Sequence, residues 1–569
     1  MESFGKLVEL YEKLDTSTSH KKIIELLAEH FQRLEPAEVK ITAYLALGTI
    51  GPRFEKIDLG IGDKYGIQAI SLAYDVDKKK VEIAFENQGD LGDVASAFNE
   101  RQRSSLTLNY VFKHFVHIRD ISGKGSQKRK INLLAEVLSK ARPLESKYIM
   151  RIAQGNLRLG FGEKFLLEAL ALAFTGSRDN TSKVEDTYNI CTDIGQLGES
   201  LAKHGMSSLG KFSIKIGRPV QMMLASRVDK MEELNEKFSG TMAAEEKYDG
   251  ERVQVHVDGD NIKAFSRRLT DISAQFPDVI EAVRECVKAE KIVLDGEIVA
   301  YRQGEFRPFQ ELMQRRRKYH VEEYVKKIPV TVFFFDVIYL NGKSLMKWSY
   351  PERRQVLEEN LVETEKVKLA GRVVSADFSR IQRFFDDCVE KGMEGIIIKS
   401  VKDNSTYRPG KRGWLWVKWK KEYIEDVRET FDLVIVGSYY GKGRRKGSFG
   451  ALLCAVLNEK EKRYETLAKV GTGFKDEDFE EINDLLKKYS IEKQPVNILI
   501  DSNMQPDNYI EPAVVIEVIG SEITSSPSHT SGQENSGSGY ALRFPRFLRI
   551  RYDKGPEDAT TVEEVKHLK

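Results

Sequence analysis

The sequence predicts a chain in three parts: an all-α first third, a mixed α/β middle and a small C-terminal β-barrel. Three observations predict it. Apolar residues recur at helical spacing up to about residue 210. From about residue 240 they alternate with polar ones or form short buried runs. Beyond Phe431, short apolar runs are separated by Gly-rich turns, the pattern of a small barrel.

The elements follow in chain order. Phe4, Leu7, Val8, Tyr11 and Leu14 share one helical face, and Ile23, Ile24, Leu27, Phe31 and Leu34 share another. Leu166, Leu167, Leu170 and Phe174 mark a further helix, closed by Gly176. Gly217-Arg218-Pro219-Val220 reads as a linker. Val253, Val255 and Val257 alternate into a turn at 258–261, and 262–265 returns as a second strand. Residues 292–301 and 330–339 read as buried strands, with a charged helix over 278–290. The α/β part ends near Lys421. Segments 433–436, 451–456 and 514–518 are the short strands of the barrel, and the Ser- and Gly-rich stretch 521–539 reads as a long mobile loop.

The 569 residues suit about three to four domains. Lys+Arg is 89 and Asp+Glu is 87, a net charge of +2, so any case for nucleic acid must rest on local clusters. No apolar run approaches the ~18 residues that a membrane span needs, and the charged N-terminus does not read as a signal peptide. Cys191, Cys286, Cys388 and Cys454 are far apart, with no C-x-x-C pair. That pattern gives no zinc ribbon or disulfide framework and fits an intracellular protein in a reducing compartment.

The chemistry concentrates in the middle third. Glu245-Glu246-Lys247-Tyr248-Asp249-Gly250-Glu251-Arg252 places a lysine before a strand, beside a glycine that lets backbone approach a ligand. A lysine is a nucleophile only when neutral, and burial or neighbouring cations can make it so. Alone, K-x-D-G is most often a surface turn. It is followed by Ser266-Arg267-Arg268, by Asp295-Gly296-Glu297 on a strand, and by Phe333-Phe334-Phe335-Asp336. Glu394-Gly395-Ile396-Ile397-Ile398-Lys399 then repeats an acid before an apolar strand, and Trp416-Val417-Lys418-Trp419-Lys420-Lys421 puts Lys418 and Lys420 on one face. Each piece alone has a bland reading: a core aromatic for Phe335, strand-end acids for Glu297 and Glu394, a solvated face for the lysines. Together they supply a nucleophile, cations, metal carboxylates and an aromatic face, the parts of a nucleotidyl-transfer site.

In order and spacing these motifs resemble those of the ATP-dependent DNA ligases of the archaeal and eukaryotic replicative type. Arg543-Phe544-Pro545-Arg546-Phe547, with Arg549 and Arg551, resembles the family's last motif. Gly123-x-Gly125-Ser126-x-Lys128 and Gly155-Asn156-Leu157-Arg158-Leu159-Gly160 match its N-terminal third. The resemblance implies a helical DNA-binding domain over 1–213, an adenylylation (nucleotidyltransferase) domain over 214–425 and an OB-fold domain over 426–569. It implies that Lys247 takes AMP from ATP as a phosphoramidate. Glu245 would read the adenine amino group, Phe335 would stack on the base, and Arg252 and Arg267 would contact ribose and phosphates. Glu297 would bind ribose and help hold a metal, with Glu394 as a metal carboxylate and Mg²⁺ as the fitting ion. Arg412, Lys418 and Lys420 would stabilise the α-phosphate and its leaving group. The implied activity is sealing of nicked duplex DNA in replication, repair and recombination, by a monomer. The rival enzyme is an RNA ligase or an mRNA-capping-type nucleotidyltransferase, against which the long helical third speaks. A silent DNA-end-binding scaffold is the rival from another class, and the intact Lys247, Glu297, Glu394 and Lys418 speak against it.

Two basic clusters, Lys124 with Lys128, Arg129 and Lys130, and Lys442 with Arg444, Arg445 and Lys446, fit contacts to DNA phosphates. Arg543, Arg546, Arg549 and Arg551 fit ATP phosphates better. Gln102-Arg103-Ser104-Ser105-Leu106 vaguely resembles a sliding-clamp-binding peptide without its paired aromatics; a plain helix or loop is the competing reading.

Overall fold

A computed structural model of the chain describes residues 2–17, 19–159, 162–228, 233–234, 238, 240–302, 304–307, 309–315, 321–420, 430–441, 448–533 and 537–568. The chain divides into two compact units, 1–424 and 425–569. Among the described residues no helix is long and apolar enough to cross a membrane. The four cysteines are free and buried.

The first unit opens with twelve α-helices among the described residues, from Phe4–Asp15 to Ile194–His204. The predicted faces are the buried ones. Phe4–Asp15 is N-capped by Ser3 and buries Phe4, Leu7, Val8, Tyr11 and Leu14 in one continuous core with Ile24, Leu27 and Phe31 of the next helix. Glu163–Thr175 stops at Gly176, whose φ of 75° is the left-handed C-terminal turn that glycine adopts without strain. The 217–220 segment is pinned rather than loose. The Thr192 hydroxyl donates to the Pro219 carbonyl at 2.6 Å, and the Val220 amide donates to Gln254 Oε1 at 2.7 Å.

Among the described residues the same unit continues with twelve strands: β1 (Leu224–Arg227), β2 (Met242–Lys247), β3 (Glu251–Asp258), β4 (Asn261–Ser266), β5 (Lys291–Arg302), β6 (Glu305–Phe306), β7 (Val330–Leu340), β8 (Lys343–Ser344), β9 (Val367–Leu369), β10 (Arg372–Ser375), β11 (Gly395–Ser400) and β12 (Arg412–Lys420). They form two sheets. One runs β4-β3-β5-β7-β8, with β6 beside β5 and β9 beside β7; the other runs β1-β12-β11-β2-β10. The first sheet packs Val253, Val255, Leu294, Val332 and Phe334 against helices Pro277–Cys286 and Tyr350–Asn360. The second packs Met242, Ala244, Ile396, Ile398 and Trp419 against helix Phe378–Glu390. The helix predicted over 278–290 ends at Cys286, because Val287 leaves the helical region and forms a bridge with Leu361.

The second unit holds β13 (Thr430–Tyr440), β14 (Phe449–Asn458), β15 (Arg463–Val470), β16 (Ser490–Ile491), β17 (Ile498–Leu499), β18 (Asn508–Ile510), β19 (Val515–Ile519), β20 (Glu522–Ser526), β21 (Gly539–Arg543) and β22 (Arg546–Ile550). β13 pairs with β14, β18 and β19, and β22 closes onto β19, so the sheet curls around Leu433, Leu452, Ile516 and Phe547 as in an OB-type barrel. The expected mobile loop is corrected here: β20 opens the stretch and pairs with β21, which starts at its last residue, and Thr530 and Ser531 between the two strands are buried, while 534–536 lie outside the described residues. The Thr530 and Thr466 hydroxyls each accept the other residue's amide, at 2.8 and 3.1 Å.

Candidate active site

All ten residues singled out in the sequence line one cleft of about 290 Å³ in the first unit, drawn from both of its sheets. The local backbone explains why. A Cβ on Gly250 would lie 2.3 Å from the Ile298 carbonyl oxygen and 2.9 Å from Glu297 Cγ, so only glycine lets the turn after Lys247 pass this close to β5. Gly395, at φ 141°, does the same against the Trp419 carbonyl at 2.3 Å. These two glycines bring Lys247, Glu297, Glu394 and Lys420 together from four strands.

At the centre, Lys247 Nζ lies 2.7 Å from Glu394 Oε2, and Lys420 Nζ is also 2.7 Å from that oxygen. Burial works to raise the Glu394 pKa, but the Lys247 and Lys420 ammoniums outweigh it and hold the carboxyl well below its ordinary range. Glu297 behaves oppositely. Burial pushes its carboxyl up to about 8 against the pull of Lys247 and Arg252. Lys418 is pushed down, by burial first and then by the charges of Lys420, Lys247 and Arg412. A cleft with this surplus of cations favours an anion such as a phosphate.

One end of the cleft is aromatic. In the pairing of β5 with β7, Asp295 faces Asp336 and Gly296 faces Phe334, leaving Phe335 as the extra residue of a β-bulge. A bulge re-aims a side chain. Phe334 goes into the core under the first sheet, whereas the partly exposed Phe335 ring lines the cleft, edge-on to Trp416 at 6.1 Å. Arg252 lies over both rings, at 5.5 and 5.6 Å, and its donors are largely committed: a fork onto Asp295 at 3.1 and 2.7 Å, and the Met223 carbonyl at 2.7 Å. Arg267 and Arg412 are exposed at the rim and make no ion pair with a described residue.

Sequence reasoning gave no role to Lys399, Tyr350 or Arg354, which surround Glu245 at the cleft floor. The alternation of E-G-I-I-I-K places Lys399 on the face of Ile397, which was the available signal. Tyr350 and Arg354 carried none.

For the DNA-contact expectations, Lys124, Lys128 and Arg129 are exposed at the start of helix Ser126–Lys140. Lys130 instead donates to the Leu59 carbonyl at 2.9 Å. Arg158, at φ 60°, is tied to Asp90 at 3.0 Å and to the Gly89 carbonyl. Lys442, Arg444, Arg445 and Lys446 lie outside the described residues. Of the barrel arginines, Arg543 pairs with Glu522, Arg549 with Glu517 and Arg551 with Asp432, while Arg546 is exposed. Leu106 of the clamp-like segment is buried, its carbonyl bound by the Phe4 amide at 3.0 Å.

Three family models match the chain: the ATP dependent DNA ligase domain over 222–420, the DNA ligase N terminus over 3–171 and the ATP dependent DNA ligase C terminal region over 445–554. DNA ligase 1 of Methanosarcina acetivorans is 57% identical, covering 100% of both chains. The DNA ligase of Hyperthermus butylicus is 40% identical, covering 99% of this chain and 96% of that protein. The solved structure described as Pmar-Lig_Pre. shares the fold at a TM-score of 0.55 and 16% identity, covering 96% of this chain and 99% of that one.

Proposed function

This chain belongs to the ATP-dependent DNA ligases, which seal nicks in duplex DNA through an adenylate drawn from ATP, and from that premise we propose how its residues divide the work. Lys247 is the nucleophile. Its nitrogen, freed of a proton, attacks the α-phosphorus of ATP; an N–P bond forms, the bond to the pyrophosphate oxygen breaks, and pyrophosphate leaves. An oxygen of the nick's 5′-phosphate then attacks the same phosphorus and displaces Lys247. Finally the 3′-hydroxyl attacks the activated 5′-phosphorus, and AMP leaves as the strand closes.

The observation that carries this reading is the Lys247–Glu394–Lys420 constellation at 2.7 Å on each side, set among Lys418 and Arg412. Those cations neutralise the charge that builds on the α-phosphate oxygens and the leaving group. Phe335 stacks on the base and Glu245 accepts from the adenine amino group. Arg267 contacts the 5′-phosphate from the rim. Arg252 keeps a smaller share of ribose and phosphate contact, because it also braces Phe335 against Asp295. Glu297 and Glu394 suit Mg²⁺: both place a carboxyl group in a cleft made for phosphate oxygens, and Glu297, which burial raises to about 8, makes no ion pair with a described residue. Such an ion supplies Lewis-acid polarisation of the phosphoryl oxygens.

Around this site we assign DNA binding to the helices of 1–213, adenylylation to 214–425 and an OB-type domain to 426–569. We take the enzyme to act as a monomer inside the cell, where its DNA is, a setting that also suits four free thiols. Clamp binding rests on Gln102–Leu106 alone, and a pull-down of the full chain by a sliding clamp, with and without Gln102→Ala, tests it. The assigned nucleophile is tested by incubation with labelled ATP and Mg²⁺. An acid-labile label that maps to Lys247 is the expected result; a label on another residue refutes the assignment.

A further inference from the structure

The floor of the cleft holds a charged cradle that the three chemical steps do not use. Glu245, 2% exposed, points its carboxylate at three donors. Lys399 Nζ lies 2.6 Å from Oε2. The Tyr350 hydroxyl donates to Oε1, and Arg354 reaches the same oxygen at 3.4 Å. Tyr350 and Arg354 sit one turn apart on the helix Tyr350–Asn360, so one helix face supplies both. Lys399 is 1% exposed and boxed by aromatic rings: Trp416 at 4.2 Å, Tyr350 at 4.8 Å and Phe335 at 4.9 Å. The same ammonium donates to the Phe335 carbonyl at 3.2 Å.

A buried cation on this scale is costly unless it is paired. Burial lowers the Lys399 pKa even beside Glu245, and it raises that of Tyr350, which therefore stays a neutral donor. The arrangement aims three donors at the two oxygens of Glu245. A carboxylate has about four acceptor positions and, when ionised, nothing to donate. Three are taken, and the remaining one faces the cleft that Glu245 lines.

We infer that Lys399, with Tyr350 and Arg354, sets the enzyme's choice of base by locking Glu245 as a pure acceptor and anchoring the backbone of Phe335. This rests on the reading that Glu245 meets the exocyclic group of the purine. An amino group at that position donates to Glu245. The 6-oxo group of guanine brings lone pairs against an anionic oxygen and finds no hydrogen there. A site built around one such buried polar contact discriminates by ~10⁴–10⁵. Lys399 is thus a positioning residue that acts through the two groups touching the base.

The test is self-labelling of the full-length enzyme by ATP and by GTP, with kcat and KM measured for each. Sealing of a pre-adenylylated nick serves as the control for fold and chemistry. Lys399→Met removes the ammonium that anchors Glu245 Oε2 and the Phe335 carbonyl, so the Glu245 side chain is free to turn away from the base. The ratio of kcat/KM for ATP to that for GTP should fall at least ~100-fold, mainly through KM, with GTP labelling rising in absolute terms. Tyr350→Phe, which deletes one oxygen, should move the ratio the same way by less. It stands in should Lys399→Met fail the sealing control. Glu245→Gln, which can donate as well as accept, should also lose discrimination. Equal losses with both nucleotides in the cradle variants, while Glu245→Gln loses discrimination, would overturn the cradle and leave the Glu245 reading standing. Unchanged discrimination in Glu245→Gln would overturn both.

Discussion

Replacing Phe335 by alanine separates base recognition from phosphoryl chemistry. The ring is presented by a β-bulge, is partly exposed in the cleft, and lies at the margin of the core, edge-on to Trp416 with Arg252 and Lys399 beside it. Its neighbours in sequence, Phe333 and Phe334, are buried. Truncation therefore removes the stacking face while the fully buried residues of the core under the first sheet, Phe334 among them, stay in place. Base-on-aromatic stacking is worth ~1–3 kcal/mol by alanine substitution, which converts to roughly 5- to 150-fold in kcat/KM for ATP. The assay pairs two rates on one preparation: self-labelling across an ATP titration, and sealing of a nick that already carries AMP. Labelling should drop within that range, chiefly through KM, and sealing should fall several-fold less. Equal losses in the two assays, or a cooperative loss of folded protein, would mean that Phe335 acts as a core residue and that stacking is not its role.

Two other predictions follow from contacts. Gly250→Ala drives a Cβ to within 2.3 Å of the Ile298 carbonyl, which belongs to the β3–β5 ladder and cannot swing aside. Overpacking of this kind costs ~1–3 kcal/mol, which differential scanning calorimetry should show as a lowered Tm. Adenylylation should fall ~100-fold, because Lys247 and Glu297 are displaced by about an ångström. In the helical region, Lys124→Ala and Lys128→Ala should each flatten the salt dependence of duplex binding by about 0.9 in log–log slope, one released counterion each. Lys130→Ala should leave that slope alone, since its ammonium is spent on the Leu59 carbonyl; a slope change for Lys130 and none for the other two would reverse the assignment.

Much of the site was legible because its residues announce themselves locally. Lys247 with Gly250 and Glu394 with Gly395 carry the glycine that their geometry needs, and Lys418 and Lys420 carry the alternation of a strand. Phe335 was legible only through its motif, because three consecutive phenylalanines hide a bulge that hydrogen bonding to β5 creates. The cradle was hidden for a stronger reason. Tyr350 and Arg354 lie 105 and 109 residues from Glu245 in the chain and meet it only when the helix packs against the sheet. The stretch 521–539 misled in the other direction. Its Ser and Gly content signals mobility, but the reciprocal Thr466–Thr530 bonds that pin it at Thr530 span 64 residues, which composition cannot report. The helical third was the easiest to read, because its apolar spacing is its core.

The central claim is that Lys247 carries AMP from ATP to the nick's 5′-phosphate and is not needed once that phosphate bears AMP. Lys247→Ala, supplied with a nick that already bears AMP on its 5′-phosphate, tests it in one reaction vessel. ATP-dependent sealing of an ordinary nick should be lost while the pre-adenylylated nick is still joined and AMP released. Sealing of the ordinary nick from ATP by this variant, with a covalent adenylate on another residue, would contradict it.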